Sequence, residues 1–409
     1  MIKQGLATFF CFWFIAATAQ ELTLTPLQIE TMFLKQNLEL IAGQMNVSIA
    51  DAAIAEAKVW DNPELSVNDI NVWSAGHEKQ FSVELTQMVS LSARRAKLAN
   101  VEKVGKEITI KQFEDLLRGL KMELRSSIAE IVYTQNVLSV IENQKKFLEN
   151  VVSGYQTQYE KGNVAKNELV RLQTALFAIE GEINDTQTNF NTLQKTLKNL
   201  LAIDPSTVIV VAEDKSNLPP PVALNLNTLI ETSLNSRPDL QMAMLQSEYH
   251  KKDIIYQKSL IMPDVSLGVN YNRYGGVWNN FYGLGVGMQI PIFNRNKGAI
   301  KTAQIQLKQS ELLAEQSQKT LQNEIIESYR NYSNTYAFLE RNLKNPALSE
   351  LDQMLEVYTK NLLSRNISIV EYMDFMDSYR STKEMLLNNQ KELKLQFEQL
   401  QFSVGQDIK

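Results

Sequence analysis

Long stretches of the chain repeat apolar residues at alternating steps of three and four. The strictest stretch has ten such positions, and only one of them, Thr186, is polar. The ten positions are Leu169, Leu172, Leu176, Ile179, Ile183, Thr186, Phe190, Leu193, Leu197 and Leu200. This spacing keeps the side chains on one helix face and is typical of a coiled-coil seam. The sequence therefore predicts a long coiled-coil helix here.

A looser stretch of the same kind comes before it, from Ala93 to about Tyr159. At 1.5 Å per residue it predicts a helix about 100 Å long, which is too long for a compact domain. The residues between the two stretches, 159–163, read Tyr-Glu-Lys-Gly-Asn and favour a helix end followed by a restart. The first half of the chain is thus predicted to contain a helical hairpin.

Four shorter segments show a different pattern, in which apolar residues alternate with Ser, Glu, Thr or Gly. This alternation predicts β-strands near Glu64 to Trp73, Gln80 to Leu91, Pro263 to Asn272 and Phe281 to Ile292. Each strand would have one apolar face and one polar or empty face. The pattern fits either a soluble four-stranded sheet packed on helices or the tilted strands of a transmembrane β-barrel.

The second half of the chain repeats the plan of the first. Residues 62–66 correspond to 262–266 at an offset of 200, and Tyr155 to Leu172 correspond to Tyr358 to Phe375 at an offset of 203. A tandem duplication is the economical explanation. It predicts a first structural repeat at 20–202, a linker at 203–225 with a short β-like piece, Val208 to Val211, and a second repeat at 226–409.

Each repeat is expected to contain one helix, two strands, a long helix and a final helix. The first helices are predicted from Thr25 to about Trp60 and from Leu226 to Leu260. The last two helices of each repeat would form a helical hairpin.

The N-terminus has the features of a secretory signal peptide, residues 1–19. Lys3 precedes an apolar run from Leu6 to Ala17, and the segment ends in Ala17-Thr18-Ala19. The run is too short to cross about 30 Å of hydrocarbon, so cleavage before Gln20 is favoured over a membrane anchor. The single cysteine, Cys11, would be removed with it, which predicts an exported protein without disulfides.

Export favours the transmembrane interpretation of the strands, and so do aromatic residues near the strand ends, where an interfacial girdle needs them. These are Trp73, Tyr271, Tyr274, Trp278 and Tyr282. Four strands cannot close a membrane barrel, since the smallest has about eight. Two copies would supply eight strands and three copies twelve, and geometry alone leaves both open.

The composition excludes other classes of protein. With 41 Lys plus Arg against 46 Asp plus Glu, the formal charge is −5, which argues against nucleic acid as a partner. Two histidines and one cysteine cannot supply a zinc cluster or a haem pocket. We therefore predict no catalytic residues, no metal site, no cofactor and no enzymatic activity.

Several short motifs, taken in order, resemble the TolC-like outer-membrane efflux factors. They are Asn62-Pro63-Glu64-Leu65-Ser66, the strand exit Gln87 to Arg95, Ser236-Arg237-Pro238-Asp239-Leu240, Gln289-Ile290-Pro291-Ile292-Phe293 and Tyr155 through Gly162 to Gln173. The resemblance covers nearly the whole chain after residue 19. The chain is most similar to the heavy-metal branch, the CzcC-like and Cus-type channels, in three motifs: Asn62-Pro63-Glu64-Leu65, the strand exit ending Ala93-Arg94-Arg95, and Asn345-Pro346-Ala347.

The resemblance implies a mainly helical fold in which a homotrimer forms a twelve-stranded outer-membrane β-barrel and a periplasmic α-helical barrel. It implies a location in the outer membrane of a Gram-negative bacterium, in contact with outer-membrane lipid. It also implies two protein partners, a periplasmic adaptor and an inner-membrane RND-type pump. The chain would be a passive exit duct for metal cations.

Two sets of candidate site residues follow from this resemblance. Glu371, Asp374 and Asp377 lie three residues apart and would form rings of carboxylates at the periplasmic entrance, where they attract cations. Surface acids without a role are the alternative. The turns Gly162-Asn163-Val164 and Arg365-Asn366-Ile367 would be hairpin tips that dock the adaptor, or simple loops. Arg365 stands where the family usually has Gly, and Ile367 where some relatives have a basic latch residue.

Two other functions remain open at this point. The same channel fold could serve drug efflux or the export of polypeptides by type I secretion. A non-pore periplasmic coiled-coil scaffold is the alternative of another class. Extraction would distinguish the two, because a membrane barrel needs detergent and a scaffold does not.

Overall fold

The computed structural model describes residues 21–71, 79–212, 218–274 and 278–408. The predicted signal peptide, Trp73 and the predicted turn around Gly275 lie outside these residues. The described part is mainly helical, as predicted, and a 3₁₀ turn lies at Pro221–Ala223. In chain order its strands and helices are β1 (Glu21–Leu24), α1 (Pro26–Gln36), α2 (Leu38–Glu56), β2 (Glu64–Asn71), β3 (Gln80–Ser90), α3 (Arg94–Glu160), α4 (Lys166–Leu201), β4 (Val208–Val211), α5 (Leu226–Ser236), α6 (Pro238–Ser259), β5 (Asp264–Arg273), β6 (Asn280–Met288), α7 (Lys297–Leu343), α8 (Pro346–Leu363) and α9 (Ile369–Val404).

The four predicted strands are present and form one antiparallel sheet in the order β2-β3-β5-β6. Strand alternation places apolar residues on one face, where a central row crosses all four strands: Leu65, Leu85, Val269 and Leu284. All four are exposed, and Leu284 is 88% exposed. The neighbouring row on the other face is Ser66, Glu84, Asn270 and Gly283. Within the described residues, β2 and β6 each have one unpaired edge.

A second, two-stranded sheet was not predicted. β1 pairs in parallel with β4, and the side chains of Ile209 and Val211 are buried. The Gln194 side chain forms two hydrogen bonds with the backbone of Ile209: it donates to the carbonyl at 2.6 Å and accepts from the N–H at 2.9 Å. The expectation of four strands is therefore corrected to six in the described residues. Strands of four residues are too short for an alternation pattern to identify the first one.

The first helix of each repeat was predicted as unbroken, and this prediction was wrong in both repeats. α1 ends before Asn37 and α5 ends before Arg237, and both residues have extended backbones. At the second break, Pro238 lacks an N–H and disfavours the helical conformation of the residue before it. At the first break, the buried Asn37 side chain donates to the carbonyl of Leu200 at 2.9 Å. This side-chain contact is added to the last helical hydrogen bond, from the N–H of Asn37 to the carbonyl of Phe33, and it has no local signal.

The final hairpin of the second half is also interrupted, where one long helix was expected. α7 ends at Leu343, and α8 begins at Pro346 with Asn345 as its N-cap. The Asn345 side chain accepts a hydrogen bond from the N–H of Ala347 at 3.1 Å. Asn-Pro is a helix-start signal, because proline at the first helical position has no N–H to satisfy. The motif therefore starts a helix and does not lie inside one.

The long coiled-coil helices are confirmed. α3 has 67 residues and α4 has 36. Of the predicted seam on α4, Leu169, Leu172, Ile179, Leu197 and Leu200 are buried, and the other five positions are partly buried. None of the described helices combines the length and apolar character needed to cross a membrane.

The described residues fall into two compact units, and each unit takes segments from both predicted repeats. One lies within 21–38, 121–220 and 332–398, and the other within 39–120, 221–331 and 399–408. Residues with left-handed backbones recur at the predicted offset of 203: Ala93 and Asn296, Gly162 and Arg365, Ala202 and Gly405. The repeat boundaries remain a prediction, which this common offset supports.

Candidate functional site at the helical hairpin tips

The predicted site lies on a helical core within one compact unit. The core draws its buried residues from α3, α4, α8 and α9, and includes Leu148, Leu172, Leu362 and Tyr372. Tyr358 stacks on Phe375, with ring centroids 4.0 Å apart. Two short turns, one between α3 and α4 and one between α8 and α9, connect these packed helices. They carry six of the nine predicted site residues, and the other three lie in the first three turns of α9.

The first turn ends α3 with a Schellman motif. Gly162 has a left-handed backbone, its N–H bonds the carbonyl of Tyr159 at 2.8 Å, and the N–H of Asn163 bonds the carbonyl of Gln158 at 2.9 Å. Glycine is the usual residue for this position because it has no Cβ to clash. The side chain of Asn163 also donates to that of Gln158 at 2.9 Å. The turn is therefore a well-defined helix end, as predicted.

The second turn has the same backbone hydrogen bonds, each shifted by 203 residues. The N–H groups of Arg365 and Asn366 bond the carbonyls of Leu362 and Asn361, both at 2.9 Å. Arg365 takes the position of Gly162 with φ of 59°. A residue with a Cβ pays roughly 1–2 kcal/mol for the left-handed conformation. The second turn is thus strained where the first is relaxed.

The Arg365 side chain connects the two tips. Its Nη2 donates to the backbone carbonyl of Asn163 at 2.7 Å. Arg365, Asn366, Gly162 and Asn163 are exposed, whereas Val164 and Ile367 are partly buried against the hairpin core. The structure therefore brings the two predicted tips together through Arg365, a contact between residues 202 positions apart that was not predicted.

Glu371 has a local role that sequence reasoning missed. Its carboxylate accepts the N–H of Ser368 at 2.8 Å and the Ser368 hydroxyl at 3.0 Å, while its own N–H bonds the Ser368 oxygen at 3.2 Å. These contacts are a capping box at the start of α9, and the Ser-x-x-Glu spacing was the available signal. The backbone and side-chain hydrogen bonds from Ser368 lower the pKa of Glu371. The same hydrogen bonds hold the Glu371 carboxylate at the helix end.

All three predicted ring acids are exposed, on the side of α9 that faces away from the core. At about 100° per residue, Glu371, Asp374 and Asp377 spread over roughly 120°. The buried residues Tyr372 and Met376 lie roughly opposite this arc. The acids can therefore face a space outside the protomer. No group of three or more His, Cys, Asp or Glu suited to hold a metal ion occurs in the described part of the chain.

Charged side chains farther along α9 link it to neighbouring helices. Arg380 donates to Glu182 of α4 at 2.6 Å and lies 3.8 Å from Asp377. Lys383 pairs with Asp352 of α8 at 2.7 Å, and the buried Tyr379 donates its hydroxyl to the same carboxylate at 2.9 Å.

Burial opposes ionisation of Asp352, but the hydrogen bonds from Lys383 and Tyr379 outweigh it and lower the pKa of Asp352. Burial and the neighbouring carboxylate raise the pKa of the Tyr379 hydroxyl. The partners in these contacts are distant in sequence or lie on different helices, so the sequence had no pattern that would reveal them.

Residues 229–406 match the family described as "Outer membrane efflux protein". The chain is 22% identical over 299 residues to Toxin and drug export protein A of Aggregatibacter actinomycetemcomitans, which covers 67% of this chain and 65% of the relative. The chain thus spans just under two thirds of the length of this curated relative.

Solved structures extend the similarity to nearly the whole chain. The CmeC outer membrane channel of Campylobacter jejuni is similar with a TM-score of 0.75 at 13% identity, covering 93% of this chain and 85% of that one. The channel CusC is similar with a TM-score of 0.72 at 16% identity, covering 94% of this chain and 92% of that one. Identities this low establish the fold alone. Residues 229–406 are thus similar to the outer membrane efflux protein family, and over most of its length the chain has the TolC-like fold.

Proposed function

We propose that this chain is the outer-membrane channel of a tripartite efflux system in a Gram-negative bacterium. It acts as a passive exit duct that receives substrates from an inner-membrane RND-type pump through a periplasmic adaptor. The observation that carries this proposal is the family match together with a TolC-like fold over more than nine tenths of the chain.

The four-stranded sheet supports a membrane location. Its apolar face is exposed, and soluble proteins rarely leave an apolar surface of this kind uncovered. Its two outer strands, β2 and β6, each have an edge that another copy can pair with. Three copies would supply twelve strands, which is the number that the family resemblance implies. We therefore propose a homotrimer whose strands close by pairing β2 of one copy with β6 of the next.

The hairpin tips are the proposed docking surface for the adaptor. Arg365 and Asn163 hold the two tips of one protomer together, so a partner would meet them as a single surface. Gly162 and Asn366 are exposed, so a partner could contact both turns directly. Three protomers would present six tips.

The proposed substrates are metal cations, which three copies of an outward-facing acidic arc would attract at the entrance. Asp374 and Asp377 are the main charges in this proposal, because the carboxylate of Glu371 already caps α9. Drug efflux is the second candidate, since the relative from Aggregatibacter has a name that includes drug export. The fold and the acidic arc are compatible with either substrate class, metal cations or drugs.

The experiment that tests the proposal is the susceptibility of a deletion strain, with a plasmid-restored control. The strain is exposed to Cu, Ag, Zn, Co, Ni and Cd salts, and in parallel to detergents, dyes and antibiotics. Selective metal sensitivity would support the cation assignment, and sensitivity confined to drugs would replace it with the second candidate. Unchanged growth in both panels, with loss of a secreted protein, would favour type I secretion. A chain extracted without detergent would contradict the channel itself.

A further inference from the structure

One end of the four-stranded sheet combines exposed apolar residues with basic ones. At this end β3 and β6 stop and β2 and β5 start, because Ser90 pairs with Asp264 and Val265 pairs with Met288. We call it the strand-to-helix end, since α3 and α7 begin directly after it. Its exposed apolar residues are Trp60 (56%), Leu91 (57%), Ile290 (68%), Ile292 (60%) and Phe293 (99%).

The two chain segments that leave the sheet have the same order of residue types. Residues 88–93 and 288–293 are mostly apolar or small, and basic residues follow at once: Arg94, Arg95 and Lys97 in the first segment, Arg295 and Lys297 in the second. With residues 56–64 and Asp264 included, this end has six basic against four acidic side chains, although the whole chain has a formal charge of −5. Positive charge is therefore concentrated where apolar side chains are exposed.

The local contacts hold this arrangement in place. Arg94 bonds the carboxylates of both Asp61, at 3.1 Å, and Asp264. It thereby fixes the start of α3 to the segments that enter β2 and β5, and it uses two of the four acids. The guanidinium of Arg95 lies 3.3 Å from the ring centroid of Trp60. Arg295 and Lys297 remain exposed.

We propose that the strand-to-helix end is a headgroup belt that recognises anionic phospholipids. The inference rests on the proposed membrane location and adds a lipid class to it. Trp60 and Phe293 would enter the edge of the hydrocarbon layer, as aromatic side chains do at membrane interfaces. Arg95, Arg295 and Lys297 would bind phosphate groups, because anionic surfaces attract basic residues that flank a membrane segment. A protein partner would not need the fully exposed Phe293 together with basic side chains at both strand exits, Arg95 at one and Arg295 and Lys297 at the other.

The test measures which lipids the full-length, detergent-extracted oligomer retains. The protein is equilibrated in mixed micelles of phosphatidylcholine and phosphatidylglycerol in equal amounts, and the bound lipids are counted by native mass spectrometry. The wild type is expected to retain more phosphatidylglycerol. The triple variant Arg95→Gln, Arg295→Gln and Lys297→Gln should lose this enrichment, by up to roughly fivefold for each charge removed at low salt.

The matched control removes three exposed lysines that lie beyond this end, at Lys308, Lys319 and Lys344, and should keep the enrichment. A salt titration of the wild type provides a second measurement that needs no variant. At about 1 M salt the Debye length is about 3 Å, so the enrichment should disappear. A normal oligomer without lipid preference, or an equal loss in the control, would overturn the headgroup belt alone. A chain that needs no detergent would overturn the proposed function first.

Discussion

The membrane interpretation predicts that the cost of an arginine on the apolar face of the sheet depends on its depth in the bilayer, and two positions along β6 test this. Leu284 is the fifth of the nine residues of β6, in the central row with Leu65, Leu85 and Val269. Met288 is the last residue of the same strand and points to the same face. The two are separated by four residues, or about 13 Å along the strand. Leu284 would therefore lie near the bilayer midplane and Met288 near its edge.

An arginine on the lipid face costs about 2–4 kcal/mol at the midplane and about 0–1 kcal/mol near the interface. For one subunit, Leu284→Arg should therefore lower the folding equilibrium roughly 30- to 900-fold, and Met288→Arg at most about fivefold. Thr86→Arg is the control, because it lies one row from the centre on the polar face. We expect it to assemble nearly as well as the wild type.

The assay is the yield of folded oligomer after refolding into phospholipid vesicles, followed by urea titration. The expected order of loss is Leu284→Arg, then Met288→Arg, then Thr86→Arg. Equal losses for Leu284→Arg and Met288→Arg would refute the depth argument. Equal losses for Leu284→Arg and Thr86→Arg would refute the assignment of the two faces, and a wild type that stays soluble without lipid would refute both.

Three further predictions concern the hairpin tips and the helices that carry them. Glu371→Gln should keep the helix cap, because Gln also serves in a capping box, and should weaken cation preference in single-channel recordings. Glu371→Ala should in addition lower the melting temperature, and equal melting temperatures for the two variants would contradict the capping role. Arg365→Gly should be more stable than Arg365→Ala by about 1 kcal/mol in thermal melts, because glycine relieves the left-handed strain while both lose the bond to Asn163; a more stable alanine variant would argue against strain. Asp352 has a lowered pKa, so its contacts stabilise the fold above the ordinary carboxyl pKa range, and this contribution is lost as the pH falls through and below that range. The melting temperature of Asp352→Asn should therefore depend less on pH in the acid range than that of the wild type. An unchanged pH profile would count against the pairing with Lys383.

The long helices and the strands could be predicted from sequence because the residues that are buried, or that share one face, recur at the period of the helix or of the strand. The seam of α4 repeats at three and four, and the structure buries or partly buries all ten of its positions. The alternation in β3, β5 and β6 gave the strands to within a few residues, because one face must differ from the other. Both signals are local and repeat many times, so single exceptions such as Thr186 do not hide them.

The breaks between helices depended on contacts that a local pattern does not contain. Asn37 ends α1 by donating to Leu200, which lies 163 positions away. Arg237, in the other half, donates to the carbonyl of Ser403 at 3.1 Å and to Glu324 at 2.6 Å. Pro238 could have indicated the second break, but the first has no proline. The pairing of β1 with β4 is also long-range, and both strands have only four residues.

The candidate site shows why a repeated backbone does not imply a repeated function. Gly162 and Arg365 occupy equivalent left-handed positions, and the hydrogen bonds around them agree in every partner after a shift of 203 residues. The first turn avoids strain with glycine and presents a bare carbonyl group at Asn163. The second accepts strain, and its guanidinium binds that same carbonyl. A glycine at both positions would leave the tips unconnected, and an arginine at both would strain both turns. The unequal pair connects them at the cost of one strained residue. Arg365 therefore connects two hairpins into a single surface, which glycine at the same left-handed position would not do.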